Sequence, residues 1–150
     1  MDKPRVVTSS WFTDLPPDFC RIGVSRGVPC NQSGYRMYRK LQPGPYLKLP
    51  DGPFTERYHT EVLDRLDPRQ TVDEFMALAA GKSVAILCFE HPHSATWCHR
   101  AMISAWLQQT LGLDVPEYGR EREGCGIAHP KLCPEARAYH TRPNAVRTTG

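Results

Sequence analysis

The chain has 150 residues, of which 40% are hydrophobic and 23% charged, and its formal net charge is +3. These values are ordinary for a globular protein, and the length fits one domain with a sizeable core. The small positive charge does not by itself indicate a nucleic-acid partner. The 14 prolines fall mainly in the first third and the tail, so we expect a compact centre with irregular chain around it.

No charged stretch followed by an apolar one opens the chain, which disfavours a secretory signal. No apolar run approaches the ~20 residues that span a bilayer, so we expect a cytoplasmic protein without a membrane partner. In a reducing cytoplasm, the six cysteines serve as buried small residues, metal ligands or nucleophiles.

The first predicted elements are two strands followed by a long loop. The segment RVVTSSWF begins with β-branched residues and predicts a strand that ends near Ser9 or Ser10, and CRIGVSRG predicts a second strand closed by Gly27. From Val28 to Pro53 the chain is rich in proline, glycine and tyrosine and shows no sustained period. This pattern indicates a loop, with a short helix near GYRMYRKL.

Two helices are predicted next. In PFTERYHTEVLDRLDP, Tyr58 and Val62 are spaced by four on one helical face, and Pro68 ends the helix. In TVDEFMALAAGK, Thr71 is the predicted N-cap and Gly81 the stop.

The centre of the chain predicts the main strand and its helix. SVAILCF is a continuous apolar run, typical of a strand buried on both faces. SATWCHRAMISAWLQQTLG predicts a helix capped by Ser94 or Thr96 and ended by Gly112, and LDVPEYG predicts a short edge strand because it contains Pro116. The alternation indicates an α/β fold: a compact single domain with a mainly parallel sheet flanked by helices. We place this domain at residues 1–119 and an irregular C-terminal extension at 120–150.

Chemically active side chains collect where these strands end. In a parallel sheet, ligands bind at the carboxyl ends of the strands, beside the amino ends of the following helices. The backbone N–H groups of a helix N-terminus favour anions, and arginine forks match phosphate or carboxylate. We therefore predict a small anionic ligand, a nucleotide or a nucleic-acid end. The predicted ligand-binding residues are Ser9, Ser25, Arg26 and Arg100.

Cys98 carries the predicted chemistry. A thiol at a helix N-terminus beside a histidine and an arginine should have a lowered pKa and more thiolate character. We predict Cys98, His99 and Glu90 as catalytic residues of a transferase or hydrolase. The alternative is a buried cysteine that only packs, in a non-catalytic interaction protein.

A metal site is the second functional alternative. Cys88, Cys98 and His99 are competent ligands for zinc or iron. However, we place Cys98 and His99 in the first turn of the helix, and adjacent residues on a helix point ~100° apart, which disfavours a shared ion.

The tail carries a further set of candidate ligands. Cys125, His129 and Cys133 are spaced by four, and they could hold a structural zinc if Cys98 or His140 supplied a fourth ligand. Free surface cysteines in a tail rich in proline and glycine are the simpler interpretation.

Several motifs resemble the domain-of-unknown-function 488 family in its short single-domain form. They are VVTSSWF, IGVSRGVP, YHTEVLDRLDP, LCFE, WCHR and AWLQQTLGLDVPEYG, and together they cover roughly residues 5 to 119. The resemblance implies a compact α/β domain with a parallel-type sheet. It implies no particular reaction. The motif positions it implies are Ser25, Arg26, Cys88, Glu90, Cys98, His99 and Arg100.

Overall fold

The computed structural model describes residues 4–141, and its centre is a four-stranded parallel sheet. The strands lie in the order β1-β4-β2-β3. Their bounds are β1 Val6–Ser10, β2 Phe19–Gly23, β3 Tyr35–Met37 and β4 Ser83–Cys88. The α-helices are α1 Asp51–Glu61, α2 Pro68–Ala79, α3 His99–Leu111 and α4 Pro134–Thr141. The predicted α/β class with a parallel sheet and flanking helices is confirmed.

The strand β4 is central, as its apolar run predicted. All six of its residues are buried, and it pairs with β1 on one side and β2 on the other. Because side chains alternate along a strand, Val84 and Ile86 join the large core beneath the helices, whereas Ala85 and Leu87 join a smaller cluster with Trp11 on the opposite face.

The long loop contains the short helix predicted near GYRMYRKL, as a 3-10 helix, and also a strand that was not predicted. Tyr35–Met37 form β3, which pairs with β2, and a 3-10 turn follows at Arg39–Leu41. The Tyr35 ring packs edge-on against Trp11 at 5.2 Å between centroids. Strand pairing and this aromatic contact decide the local conformation, which the proline- and glycine-rich composition did not reveal.

The second helix begins earlier than predicted. Asp67 is the N-cap of α2, and its carboxylate accepts hydrogen bonds from the backbone N–H groups of Arg69 and Gln70. Pro68 occupies the first helical position, where its missing N–H costs nothing. Thr71 is therefore buried inside the helix, and its hydroxyl donates to the Asp67 carbonyl.

The helix α3 begins later than predicted. Ser94 and Thr96 lie in the loop after β4, and Cys98 is the N-cap with an extended backbone (φ −142°, ψ 143°). Gly112 ends the helix in the left-handed conformation, φ 65°, as predicted. This shift of the helix start decides the direction of the Cys98 side chain.

The described part of the C-terminal extension, residues 120–141, packs back onto the sheet and α3. His129, Lys131 and Leu132 are buried. The predicted edge strand is reduced to two isolated bridges, a parallel one between Thr8 and Glu117 and an antiparallel one between Pro116 and Cys125. Residues 142–150 of the predicted extension lie outside the described residues. Among the helices of residues 4–141, none is long and apolar enough to cross a membrane.

Candidate active site at the carboxyl edge of the sheet

A cluster of two thiols and one imidazole lies where β4 ends and α3 begins. The Cys88 and Cys98 sulfurs and a ring nitrogen of His99 all lie within 4.8 Å of one another. Cys88 is the last residue of β4, Cys98 is the N-cap of α3, and His99 is the first helical residue. Both cysteines are buried, and His99 is half-buried. We call Cys88, Cys98 and His99 the thiol–imidazole cluster.

The end of the neighbouring strand fixes the orientation of His99. Its Nε2 lies 3.1 Å from the carbonyl oxygen of Val24, the residue that follows β2. A carbonyl oxygen only accepts hydrogen bonds, so Nε2 carries the proton and donates. Both ring nitrogens lie 3.6 Å from the Cys88 sulfur, so the sulfur lies over the face of the ring, and Nδ1 carries the free lone pair. The Tyr58 ring packs against the imidazole at 5.3 Å.

The cluster opens into a pocket of about 150 Å³. Glu90, Cys98 and His99 form its reactive wall. The remaining wall is mostly apolar and aromatic, and it contains Leu47, Leu49, Phe54, Trp97 and Met102, with Asp51 and Cys133 beside them. Trp97 is 43% exposed, so its indole ring is accessible at the pocket. Among residues 4–141, no lysine or arginine side chain lines this pocket.

The two thiols differ in acidity. Burial raises the pKa of Cys88 well above its ordinary value, and the adjacent Cys98 thiol raises it further. Burial also acts to raise the pKa of Cys98, but the hydrogen bond from Cys88 and the charge of Arg100 outweigh it. The pKa of Cys98 therefore lies well below its ordinary value, and Cys98 is the thiol of the pair that forms a thiolate more readily.

Glu90 is a half-buried carboxyl beside this thiolate. Burial and the negative charge of Cys98 raise the pKa of Glu90 to about 7. A carboxyl with that pKa can both accept and donate a proton near neutral pH, which is the property of a general acid or base.

Arg100 lies behind the cluster rather than in the pocket wall. Its side chain and that of Glu117 are completely buried, and they form a two-pronged ion pair with Nε–Oε1 at 2.9 Å and Nη2–Oε2 at 2.5 Å. Burial alone would lower the pKa of Arg100, but Cys98 and Glu117 raise it above its ordinary value. Arg100 is thus a permanent charge that favours the Cys98 thiolate. Its Nη1 has no hydrogen-bond partner among the described residues.

The other predicted ligand-binding residues are spread along the edge. The Ser9 hydroxyl is buried with no partner among the described side chains and backbone. The Ser25 hydroxyl accepts a hydrogen bond from the Trp11 indole and donates to the Gly27 carbonyl, so it is already occupied. Arg26 is exposed and lines a second depression, together with Lys48. That depression shares Leu47 and Leu49 with the pocket.

Three residues from beyond residue 116 support the site, and of these only His129 was considered from the sequence, as a candidate metal ligand of the tail. Glu117 accepts a hydrogen bond from Thr8 at 2.7 Å in addition to its pair with Arg100. His129 lies 2.7 Å from the same Thr8 hydroxyl. The Lys131 ammonium binds the loop that carries Cys98. The bridge between Thr8 and Glu117 falls in the predicted edge strand, which was the available signal for Glu117.

The tail cysteines do not form the metal site considered from the sequence. Among the described side chains, Cys125, His129 and Cys133 are not a converging ligand group. The Cys125 sulfur accepts from Gln108, the Cys133 sulfur accepts from the Ala136 backbone, and His129 is bound to Thr8. Chain direction explains this, because the 3-10 helix Gly126–Ala128 and a turn at 130–131 separate the three residues.

These features define an α/β domain with a thiol–imidazole cluster and a carboxyl group around one pocket at the carboxyl edge of a parallel sheet. A family model, DUF488-N3a, described as the active DUF488-N3 subclade, matches residues 10–111. The match covers more than half of the chain, so this protein belongs to that family. No curated protein and no solved structure matches it.

Proposed function

We propose that this protein is a transferase or hydrolase that acts at the phosphoribosyl or phosphate group of a nucleotide or a nucleic-acid end. The observation that carries this proposal is the convergence of Glu90, Cys98 and His99 on one pocket. The description of the subclade as active also favours an enzyme. The six free thiols fit a reducing compartment, so we propose a cytoplasmic location.

The wall of the pocket suits a nucleobase. Phe54 and Trp97 offer aromatic faces, and base–aromatic stacking contributes about 1–3 kcal/mol per base. Leu47, Leu49 and Met102 supply apolar contact on the remaining wall. Polar groups of Asp51, Glu90 and His99 line the same pocket and can fix the orientation of a ligand.

Charge decides where the anionic part of the ligand binds. The carboxylates of Asp51 and Glu90 line the pocket itself and would repel a phosphate there. Arg26 and Lys48 line the adjoining depression, which is continuous with the pocket through Leu47 and Leu49. We therefore place the phosphate at Arg26 and Lys48, whereas Arg100 acts on the ligand only through Cys98.

Glu90 is positioned for proton transfer in this reaction. A water molecule or an acceptor hydroxyl gives its proton to the Glu90 carboxylate while its oxygen bonds to the anomeric carbon of the phosphoribosyl group. The bond to the leaving group breaks with its electron pair, and the proton passes from Glu90 to that group. Hydrolysis and transfer differ only in whether water or another hydroxyl is the acceptor.

A thermal-shift panel tests ligand binding. The probes are inorganic phosphate, ribose 5-phosphate, the four ribonucleoside monophosphates and a 5′-phosphorylated oligonucleotide. We expect at least one nucleotide-containing probe to raise the melting temperature. The double variant Arg26→Ala with Lys48→Ala should weaken that binding about tenfold or more.

Lys82 provides the matched control because it is exposed and precedes β4, at the opposite edge of the sheet. Lys82→Ala should bind like the unaltered protein. The proposal is wrong if no probe stabilises the protein. It is also wrong if removing Arg26 and Lys48 leaves the binding unchanged.

A further inference from the structure

Two sulfurs and one nitrogen converge at the thiol–imidazole cluster, and no other described side chains offer a comparable set of soft ligands. Their ligand atoms lie within 4.8 Å of one another. The second converging group of described residues is Asp51, Cys133 and Glu135, whose carboxylates are exposed. We infer that Cys88, Cys98 and His99 bind a zinc ion.

The spacing of the ligand atoms fits a tetrahedral ion. With Zn–S near 2.3 Å and Zn–N near 2.0–2.1 Å, tetrahedral angles place sulfur and nitrogen about 3.5 Å apart. The Cys88 sulfur lies 3.6 Å from Nδ1 of His99. The sulfur–nitrogen separation therefore already matches that of a zinc site.

The second ring nitrogen of His99 has the hydrogen-bond partner that is typical of a metal-binding histidine. Histidines that bind metals generally donate their second ring N–H to a carboxylate or a backbone carbonyl, which fixes the ring. Here Nε2 donates to the Val24 carbonyl at 3.1 Å, which leaves Nδ1 with the lone pair that a metal ion would need.

The backbone explains why two adjacent residues can bind one ion. A shared ion is disfavoured when two adjacent ligands both lie in a helix. Here, Cys98 has an extended backbone at the N-cap, and only His99 is helical. The angle of ~100° between successive helical side chains therefore does not apply to this pair.

Charge balance is compatible with an ion in this buried cluster. Two thiolates and one Zn²⁺ sum to zero, so the buried cluster would carry no net charge. Three protein ligands leave one position of a tetrahedral ion for water, as in catalytic zinc sites. Cys98, His99 and Glu90 line the same pocket, so this position can face the ligand.

The catalytic use of the ion rests on the function proposed above, whereas metal binding itself does not. In that reaction the ion would bind the attacking water and Glu90 would take its proton. The thiolate of Cys98 then serves as a ligand rather than as a nucleophile.

Metal content tests the inference directly. Untagged protein, purified anaerobically without chelator, is measured by mass spectrometry for zinc and iron. We expect about one zinc per chain, and its loss in Cys88→Ser, Cys98→Ser and His99→Ala. Cys30→Ser is the matched control, because Cys30 is exposed, and it should keep the metal.

Three results would overturn the inference. One is protein without metal that also fails to take up added zinc. Another is iron in place of zinc. The third is zinc that remains in Cys98→Ser and is lost in Cys133→Ser, which would assign it to the Asp51–Cys133–Glu135 group.

If the variants fail to fold, cobalt binding to the unaltered protein tests the same ligands. Apo protein that retains the natural cysteines is titrated with Co²⁺ alone. A thiolate-to-cobalt charge-transfer band and intense visible bands should appear and saturate at about one equivalent, as expected for tetrahedral thiolate ligation. The absence of the charge-transfer band would also overturn the inference.

The two proposals fail separately. Glu90→Gln should keep the zinc and the thermal shift with nucleotide, and lose turnover. Zinc without any nucleotide shift would contradict the proposed function and support the metal site. A rise in melting temperature with nucleotide, in protein that takes up no zinc, would support the proposed function and contradict the metal site.

Discussion

The Lys131 ammonium donates hydrogen bonds to the Ser94 carbonyl at 2.8 Å and to the Ser94 hydroxyl at 3.0 Å. It also donates to the His91 carbonyl at 2.9 Å, and the Lys131 carbonyl accepts from the Cys98 backbone N–H at 3.1 Å. A residue from the C-terminal extension thus holds the loop between β4 and α3 at both ends. This contact fixes the position of Cys98 at the helix start.

Lys131→Met should destabilise the protein and loosen the site. The substitution keeps the apolar stem and removes three hydrogen bonds from a charged donor. Hydrogen bonds to charged groups contribute about 1.5–3 kcal/mol each, so we expect the free energy of unfolding in urea to fall by about 2 kcal/mol or more. Metal uptake should weaken in parallel. An unchanged unfolding midpoint would contradict a stabilising role of the Lys131 hydrogen bonds. The control is Lys82→Met, because Lys82 is exposed.

Gly23→Ala should destabilise the end of β2. A Cβ at Gly23 would collide with the Trp11 ring and lie 2.7 Å from the Met37 sulfur. Overpacking of this kind typically costs about 1–3 kcal/mol. Gly27→Ala is the matched control, because a Cβ there meets nothing within 4 Å. Equal unfolding midpoints for the two variants would contradict this account.

His129 should make stability depend on pH. The backbone N–H of Lys131 donates to Nδ1, so Nδ1 carries no proton and the ring is neutral. Burial lowers the pKa of His129 to about 4, although the charge of Glu117 opposes this. The unfolded chain binds a proton near pH 6.5 and the folded chain only near 4. Stability should therefore fall as the pH drops from about 6.5 to 4, by roughly 3 kcal/mol at most.

Urea unfolding at a series of pH values measures this effect. His129→Gln should flatten the dependence between pH 6.5 and 4, even if it lowers stability at pH 7. The exposed His93 gives the control, because His93→Gln should keep the slope. A slope that survives in His129→Gln would assign the dependence to other groups.

Local patterns predicted the parts of the fold that local forces decide. The apolar run of β4, the end of β1 near Ser10 and the glycine stop at Gly112 all rest on burial or backbone conformation within a few residues. The same patterns placed Cys88, Cys98 and His99 at one edge of the sheet, because parallel strands share that edge.

Tertiary contacts decided the rest. Ser94 and Thr96 have good N-cap propensity, but the hydrogen bonds of Lys131 to the loop hold this segment outside the helix. Similarly, Arg100 resembles an anion-binding residue in sequence. Its partner Glu117 lies 17 residues away, and no spacing rule connects them.

Glu117→Gln should be among the most destabilising single substitutions in the chain. It leaves the Arg100 guanidinium completely buried without its counter-charge. Breaking a buried pair in this way typically costs about 3–5 kcal/mol. The free energy of unfolding in urea measures the loss, with the partly exposed pair of Arg57 and Glu61 as control. Glu61→Gln should change stability by about 0.5 kcal/mol or less.

The double variant Arg100→Met with Glu117→Leu measures the interaction energy between the two charged side chains. Both charges are then gone. The loss in free energy of unfolding should therefore be smaller than the sum of the losses in the single variants Arg100→Met and Glu117→Leu, by about 0.5–3 kcal/mol. Additive losses would mean that the two side chains stabilise the fold independently. The double variant should also react more slowly with iodoacetamide at Cys98, since the charge that favours its thiolate has been removed.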